Sequence, residues 1–439
     1  MPRAITFALT AALLAGEGGR GLEPLSSGSP GLSEADAARA LAENPAQAGP
    51  YVVLGARANS AKKLDLARGY LLRALALEPQ LAEARHQLAL NHGQRREWAE
   101  AAAQMARALE AEPRNPVYRY NLGALYYNSG RYPAALAEFR RAAELDPARF
   151  EPGLAVAAAL EASKQLPEAR AAFSALIRRR PADARGYQGR AGVLLDLGRA
   201  SEARRDALRA LSLKPGSAAT HYLLGRIFEH SGKPAQAVEA YEMALQLEPG
   251  HLNAHYRLSL LYARLGRAAG AARAAESYRS LRKGVEAANA LLFGMDFLKA
   301  GDLANAAAQF TRALESDPRN TQALYYSAVV AQRRKQNEQA LAAYRAVLAL
   351  DPALAAAHAN LGLLLAASGA PEARAHLERA VELDPPEFAA WYTAAYGFSL
   401  LEDYAAAQKA VARALDLWPG HPGALKLQRD VASVVGLRP

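Results

Sequence analysis

Residues 116–147, PVYRYNLGALYYNSGRYPAALAEFRRAAELDP, decide how the rest of the chain is read. Eight of them are Leu122, Gly123, Tyr126, Gly130, Ala135, Phe139, Ala142 and Pro147. These return in kind as Leu224, Gly225, Phe228, Gly232, Ala237, Tyr241, Ala244 and Pro249. A constant period lies behind this: Pro45, Pro79, Pro113, Pro147, Pro181, Pro215 and Pro249 hold one spacing without a break. After a gap of two periods and one further position, the series resumes at Pro318, Pro352, Pro385 and Pro419, with one interval a position short. The gap has room for one repeat that lacks its terminal proline. Eleven repeats therefore run from about residue 46 to residue 419.

Each recurring residue has a mechanical reason. Proline has no N–H and disfavours helix for the residue before it, so it ends a helix once per period. Counting from Pro116 as position 1, a small residue recurs at position 8 (Gly55, Gly123, Gly225, Gly294, Gly362) and lets two helices approach closely. Glycine at position 15 (Gly130, Gly198, Gly232, Gly266, Gly301, Gly369) suits a left-handed exit from the first helix. Alanine at position 20, from Ala67 to Ala407, occurs in every repeat once the short tenth is shifted. A larger side chain there would force the pair apart, at about 1–3 kcal/mol.

This pattern, in its markers and in its spacing, resembles the tetratricopeptide repeat, a helix–turn–helix unit. The resemblance covers most of the chain. It implies an all-α fold, a right-handed α-solenoid of about eleven tetratricopeptide repeats closed by terminal capping helices. Domain organisation follows: an export signal in 1–18, a linker and N-terminal capping helix in 19–45, repeats one to seven in 46–283, repeats eight to eleven in 284–419, and a C-terminal capping helix in 420–439. Ser33, with Asp36 three residues on, marks the start of the first cap. The closing helix carries Leu425, Leu427, Val431 and Val435. Repeat seven, which ends in SLRKG, is the expected site of a bend near 280–286.

The repeats occupy so much of the 439 residues that no separate catalytic domain has room. The formal charge is +10, but the basic residues form short runs at Arg95–Arg96, Arg178–Arg180 and Arg333–Lys335 rather than one stripe. That distribution points to solvated helix faces and away from nucleic acid. The absence of cysteine excludes disulfides, thiolate metal sites and a thiol nucleophile. Arg3 followed by the apolar run Ala4 to Ala15 reads as an export signal, too short to span a membrane. The expected location is periplasmic or secreted, in a bacterial envelope; a cytoplasmic adaptor is the alternative.

No constellation for chemistry is present. His251 and His255 are four apart, but no Glu follows the first histidine, so the zinc-protease signature is missing. No phosphate-binding or dinucleotide-binding glycine loop occurs. Neither a metal nor a cofactor is expected, nor enzymatic activity.

In the tetratricopeptide family the first helix of each repeat lines the concave face, through positions 2, 5, 9, 12 and 13. Carried onto this sequence, that rule nominates Tyr120, Tyr127, Asn128, Tyr222, Arg226, His230, Tyr256, Arg264, Tyr325, Arg333, Tyr392 and Tyr396. Tyrosine and arginine dominate binding hot spots, so such a groove would favour a peptide or helix of a protein partner. The competing reading is that tyrosine at position 5 is family packing. The family's chaperone-tail clamp and its asparagine ladder are both missing. The expected function is a scaffold for protein–protein interaction. The alternative is a carbohydrate-binding or polysaccharide-export component of the envelope, its tyrosines stacking on sugar rings.

Overall fold

The computed structural model describes residues 33–385, 387–418 and 420–436. The expected export signal, most of the expected linker, Pro419 and the last three positions of the expected C-terminal cap lie outside the described residues. What is described is an all-α solenoid of about eleven helix pairs, joined by short turns. Two compact units are distinguished, one formed by His92–Arg282, the other by Pro30–Asn91 with Lys283–Pro439.

The helix boundaries follow from the recurring residues. Ahead of each terminal proline the backbone leaves the helical region, as at Glu112 (φ −128°, ψ 72°) and Glu248 (φ −136°, ψ 87°). Side-chain caps then open several first helices. Asn115 accepts from the N–H groups of Val117 and Tyr118, and Ser217 from that of Thr220. Between the two helices of a repeat, all six glycines at position 15 take φ between +69° and +79°. Five repeats keep the same turn without glycine, placing Lys62, Arg96, Lys164, Lys335 and Glu402 at φ from +57° to +63°. The turn is therefore imposed by helix pairing, and these five residues carry the strain.

Packing within a pair is as tight as the sequence demands. A Cβ on Gly123 would lie 2.6 Å from the ring of Phe139, and one on Gly294 2.5 Å from that of Phe310. The position-20 alanines are fully buried, except Ala271 of repeat seven. Core clusters each draw on neighbouring repeats. One gathers Phe139, Phe150 and Phe173 with the alanines around them. Such burial against neighbours is how a repeat array replaces a single globular core.

Where the bend near 280–286 was expected the backbone stays helical: a single 32-residue helix, Ala268–Lys299, includes SLRKG, so the second helix of repeat seven and the first of repeat eight are one element. With no proline here, the backbone hydrogen bonding has nothing to interrupt it. Gly284 alone weakens the helix by only about 1 kcal/mol.

Both caps are helical. Ser33 opens Glu34–Glu43, its hydroxyl accepting from the N–H of Asp36 at 3.1 Å. At the other end Pro422–Val435 buries Leu427 and Val431 against the last repeat, whereas Leu425 is exposed.

Candidate functional site

One concavity lies in the unit His92–Arg282 and is lined by first helices. Leu195 and Asp196 come from Ala184–Asp196, Arg226, Glu229 and His230 from Ala218–His230, and Arg257 and Arg264 from Leu252–Arg264. Asp196, His230 and Arg264 hold the same position in three successive repeats, so the period itself stacks them along one wall. The cavity measures about 400 Å³.

Its charges are partly spent on each other. Arg226 pairs with Asp196 at 3.3 Å, and Arg257 with Glu229 at 3.3 Å. Glu229 also accepts from the Tyr241 hydroxyl at 3.0 Å, which anchors its carboxylate. Arg264 forms no ion pair among the described residues. Three guanidinium groups thus face two carboxylates, leaving the cavity cationic. Tyr256 and Leu260, 39% and 42% exposed, continue the face of Arg264 at four-residue spacing. The same helix therefore offers an apolar step beside a cationic one.

One ionisable group beside this cluster was not nominated from the sequence. Glu161, at position 12 of repeat four, is buried and its Oε2 finds no partner. Burial pushes its carboxyl up to about 8, aided by the charge of Asp196 and opposed by Lys164 and Arg226. Position 12 is one of the positions the family rule assigns to the concave face, so that rule would have found it.

The nominated residues separate into three groups. Arg226, His230 and Arg264 meet in the cavity, and Tyr256 adjoins it. Tyr120, Tyr127 and Tyr222 are corrected: all three are buried, Tyr222 to 2% exposure, and their rings pack against Phe139, Tyr132 and Tyr241 respectively. Burial raises the Tyr222 hydroxyl above its ordinary range. Tyr325 is likewise held inside, against Tyr344, its hydroxyl accepting from Asn360 at 3.0 Å. Tyr392 stacks on Phe388 and is half-buried. Asn128, Arg333 and Tyr396 are exposed but line no common cavity with the others. At Tyr120, Tyr222 and Tyr325 position 5 points into the packing, each ring lying against an aromatic side chain of the second helix of its own repeat, whereas Tyr256 at the same position stays exposed.

The histidines rejected as ligands have structural work. His251 caps Leu252–Arg264 through Nδ1, which accepts from the N–H of Ala254 at 3.2 Å. His255 Nε2 lies 2.9 Å from the Pro249 carbonyl, to which it donates. Trp391 does the same to Pro385 at 2.8 Å, and Arg119 to Pro113 at 3.2 Å. Position 4 therefore ties each of these repeats to the carbonyl that ends the one before. Among the described residues no three His, Asp or Glu side chains gather as for a metal. No described helix is long and apolar enough to cross a membrane.

Two family profiles described as Tetratricopeptide repeat match this chain, one at residues 86–149, 155–218 and 291–355, the other at 218–251. The chain belongs to the tetratricopeptide-repeat family. Among solved structures it is similar to a tetratricopeptide repeat protein from Parabacteroides merdae, at 20% identity and TM-score 0.43, covering 52% of this chain and 90% of that one. It is also similar to pilF of Pseudomonas aeruginosa, at 21% identity and TM-score 0.41, covering 49% and 97%. A human IFIT1 dimer with PPP-AAAA matches at 16% identity and TM-score 0.40, covering 80% and 86%. No curated protein matches. As a tetratricopeptide-repeat protein, this is a scaffold of the kind that works through protein–protein interaction.

Proposed function

We propose that this tetratricopeptide scaffold, a right-handed superhelix of eleven repeats, binds a segment of a protein partner along the first helices of repeats five to seven. An acidic side chain of that segment enters the Arg226–Arg257–Arg264 cavity, and an apolar one packs on Tyr256 and Leu260. The carrying observation is Arg264, a cation without an ion-pair partner among the described residues, on the same helix face as two exposed apolar side chains. Complementary charge fixes the register of such a segment, and the apolar contact adds affinity. A preformed wall of paired helices lowers the ordering cost of binding.

Burial of Tyr120 and Tyr222 removes two of the rings on which stacking with sugars would depend, so the polysaccharide reading has less support. Export remains part of the proposal, on the strength of Arg3 and the apolar run that follows it.

The test is photo-crosslinking in cells from a reactive side chain at Leu260, with exposed Arg179 as the control. One dominant adduct at Leu260 alone supports the groove as the working surface. Equal adducts at both sites, or none, would remove it.

A further inference from the structure

In the unit that contains both, the first and last repeats touch. The helix Leu64–Leu77 of repeat one lies against the end of Tyr404–Leu417 of repeat eleven. Gly69 rests on the Leu417 backbone so closely that a Cβ would collide with the Leu417 carbonyl. The Arg68 guanidinium sits 3.6 Å above the Trp418 ring, and Arg73 pairs with Asp416 at 3.3 Å. Leu66 packs beside the cluster formed by Phe388, Leu415 and Leu417.

Three features make this contact separable. Its partners stand 343 residues apart, so chain connectivity does not hold them together locally. Each helix also packs within its own pair, Leu64–Leu77 on Ala48–Ser60 and Tyr404–Leu417 on Phe388–Leu400, far more extensively than the two pack on each other. The ion pair is open to water, its side chains 39% and 54% exposed, and pairs of that kind add little. Yet the geometry is specific, because only glycine fits at position 69. A specific, separable contact between distant parts of one chain can be made equally well between two chains, which is the route to domain-swapped assembly.

We propose that the surface around Gly69, Arg68 and Arg73 is an interaction surface for a second copy of this chain. Repeat one of one copy seats on repeat eleven of another, through the contacts that the chain also makes with itself. Within one chain the two surfaces are tethered, so self-closure prevails when dilute and exchange rises with concentration.

Because these 439 residues contain no cysteine, spin labels can be placed at will. Ala76→Cys and Ala412→Cys occupy exposed positions on the two helices. The doubly labelled chain sets the reference distance. Mixed copies, each carrying one label, should reproduce that distance once concentrated or refolded together. Gly69→Val should abolish the intermolecular signal while circular dichroism keeps its helical content. Arg73→Glu, a surface change, should weaken the signal several-fold and serves should Gly69→Val fail to fold. No intermolecular distance at any concentration would overturn the proposal. So would a signal that survives in every folded variant, since association would then use another surface.

Discussion

Glu161→Gln should remove a pH dependence that the wild-type fourth repeat carries. The Glu161 carboxyl is buried without a partner for Oε2, and folding raises it from an ordinary 4.5 to about 8. Between those values the unfolded chain has released its proton and the folded one has not, so the native state binds more protons. Stability therefore falls as pH rises from about 4.5 and levels off above about 8. The full span is about 5 kcal/mol, and about 3 kcal/mol of it falls between roughly pH 5.5 and 8.5. Glutamine copies the neutral acid and has nothing to ionise. Repeat arrays need not unfold in one step, so the assay should be local: amide hydrogen exchange of Glu151–Ala162, comparing the two proteins at equal pH. The ratio of wild-type to variant exchange rates should grow by roughly a hundredfold from pH 5.5 to 8.5. A ratio that does not change with pH would show that Glu161 is ionised throughout, and the argument from burial would fail.

Other consequences follow from the same structure. Lys164→Gly should stabilise the fourth repeat by about 1 kcal/mol, because Lys164 holds φ +63° where glycine is free of strain, and Gly232→Ala should destabilise the sixth comparably; hydrogen exchange of the flanking helices reads both. Trp391→Phe keeps an aromatic side chain but loses the indole N–H and its 2.8 Å bond to the Pro385 carbonyl, with an expected loss of about 1–2 kcal/mol in the last repeat and no effect on the cavity; urea unfolding followed by fluorescence of nearby Trp418, 5.2 Å from Phe388, measures it. Sequencing the N-terminus of the native protein tests export: a start near residue 18 is expected, and an intact Met1 or Pro2 would remove that claim.

Repeat boundaries, turns and caps were legible because each rests on one residue with one steric reason. The position-15 glycines and Ser33 act locally: the glycines take the left-handed turn and Ser33 caps Glu34–Glu43. The turn at Lys164 was not legible from its own residue, since the pairing of helices overrides its preference. Helical continuity through SLRKG was not read from the sequence, although a missing proline leaves nothing to end the helix there. The site was read only in part. Arg226, His230 and Arg264 follow from position alone, but whether a tyrosine at position 5 faces a groove depends on which side chains of the helices around it cover the ring. Tyr222 meets Tyr241 and His251 and is covered, whereas Tyr256 meets Tyr278 at the long helix and stays exposed. The contact between repeats one and eleven has no signature within the period at all, because it joins helices 343 residues apart.

The most direct test of the binding account is the affinity of the partner segment captured at Leu260, measured by calorimetry against the wild type and Arg264→Glu. Arg264 lies on the cavity wall without an ion-pair partner among the described residues, so its reversal should leave the fold intact while placing a like charge against the acidic side chain. The account predicts at least about a tenfold loss of affinity, relieved by changing that acidic residue to lysine, and a wild-type affinity that falls with salt. Unchanged affinity for Arg264→Glu, or no relief from the compensating change, would contradict it.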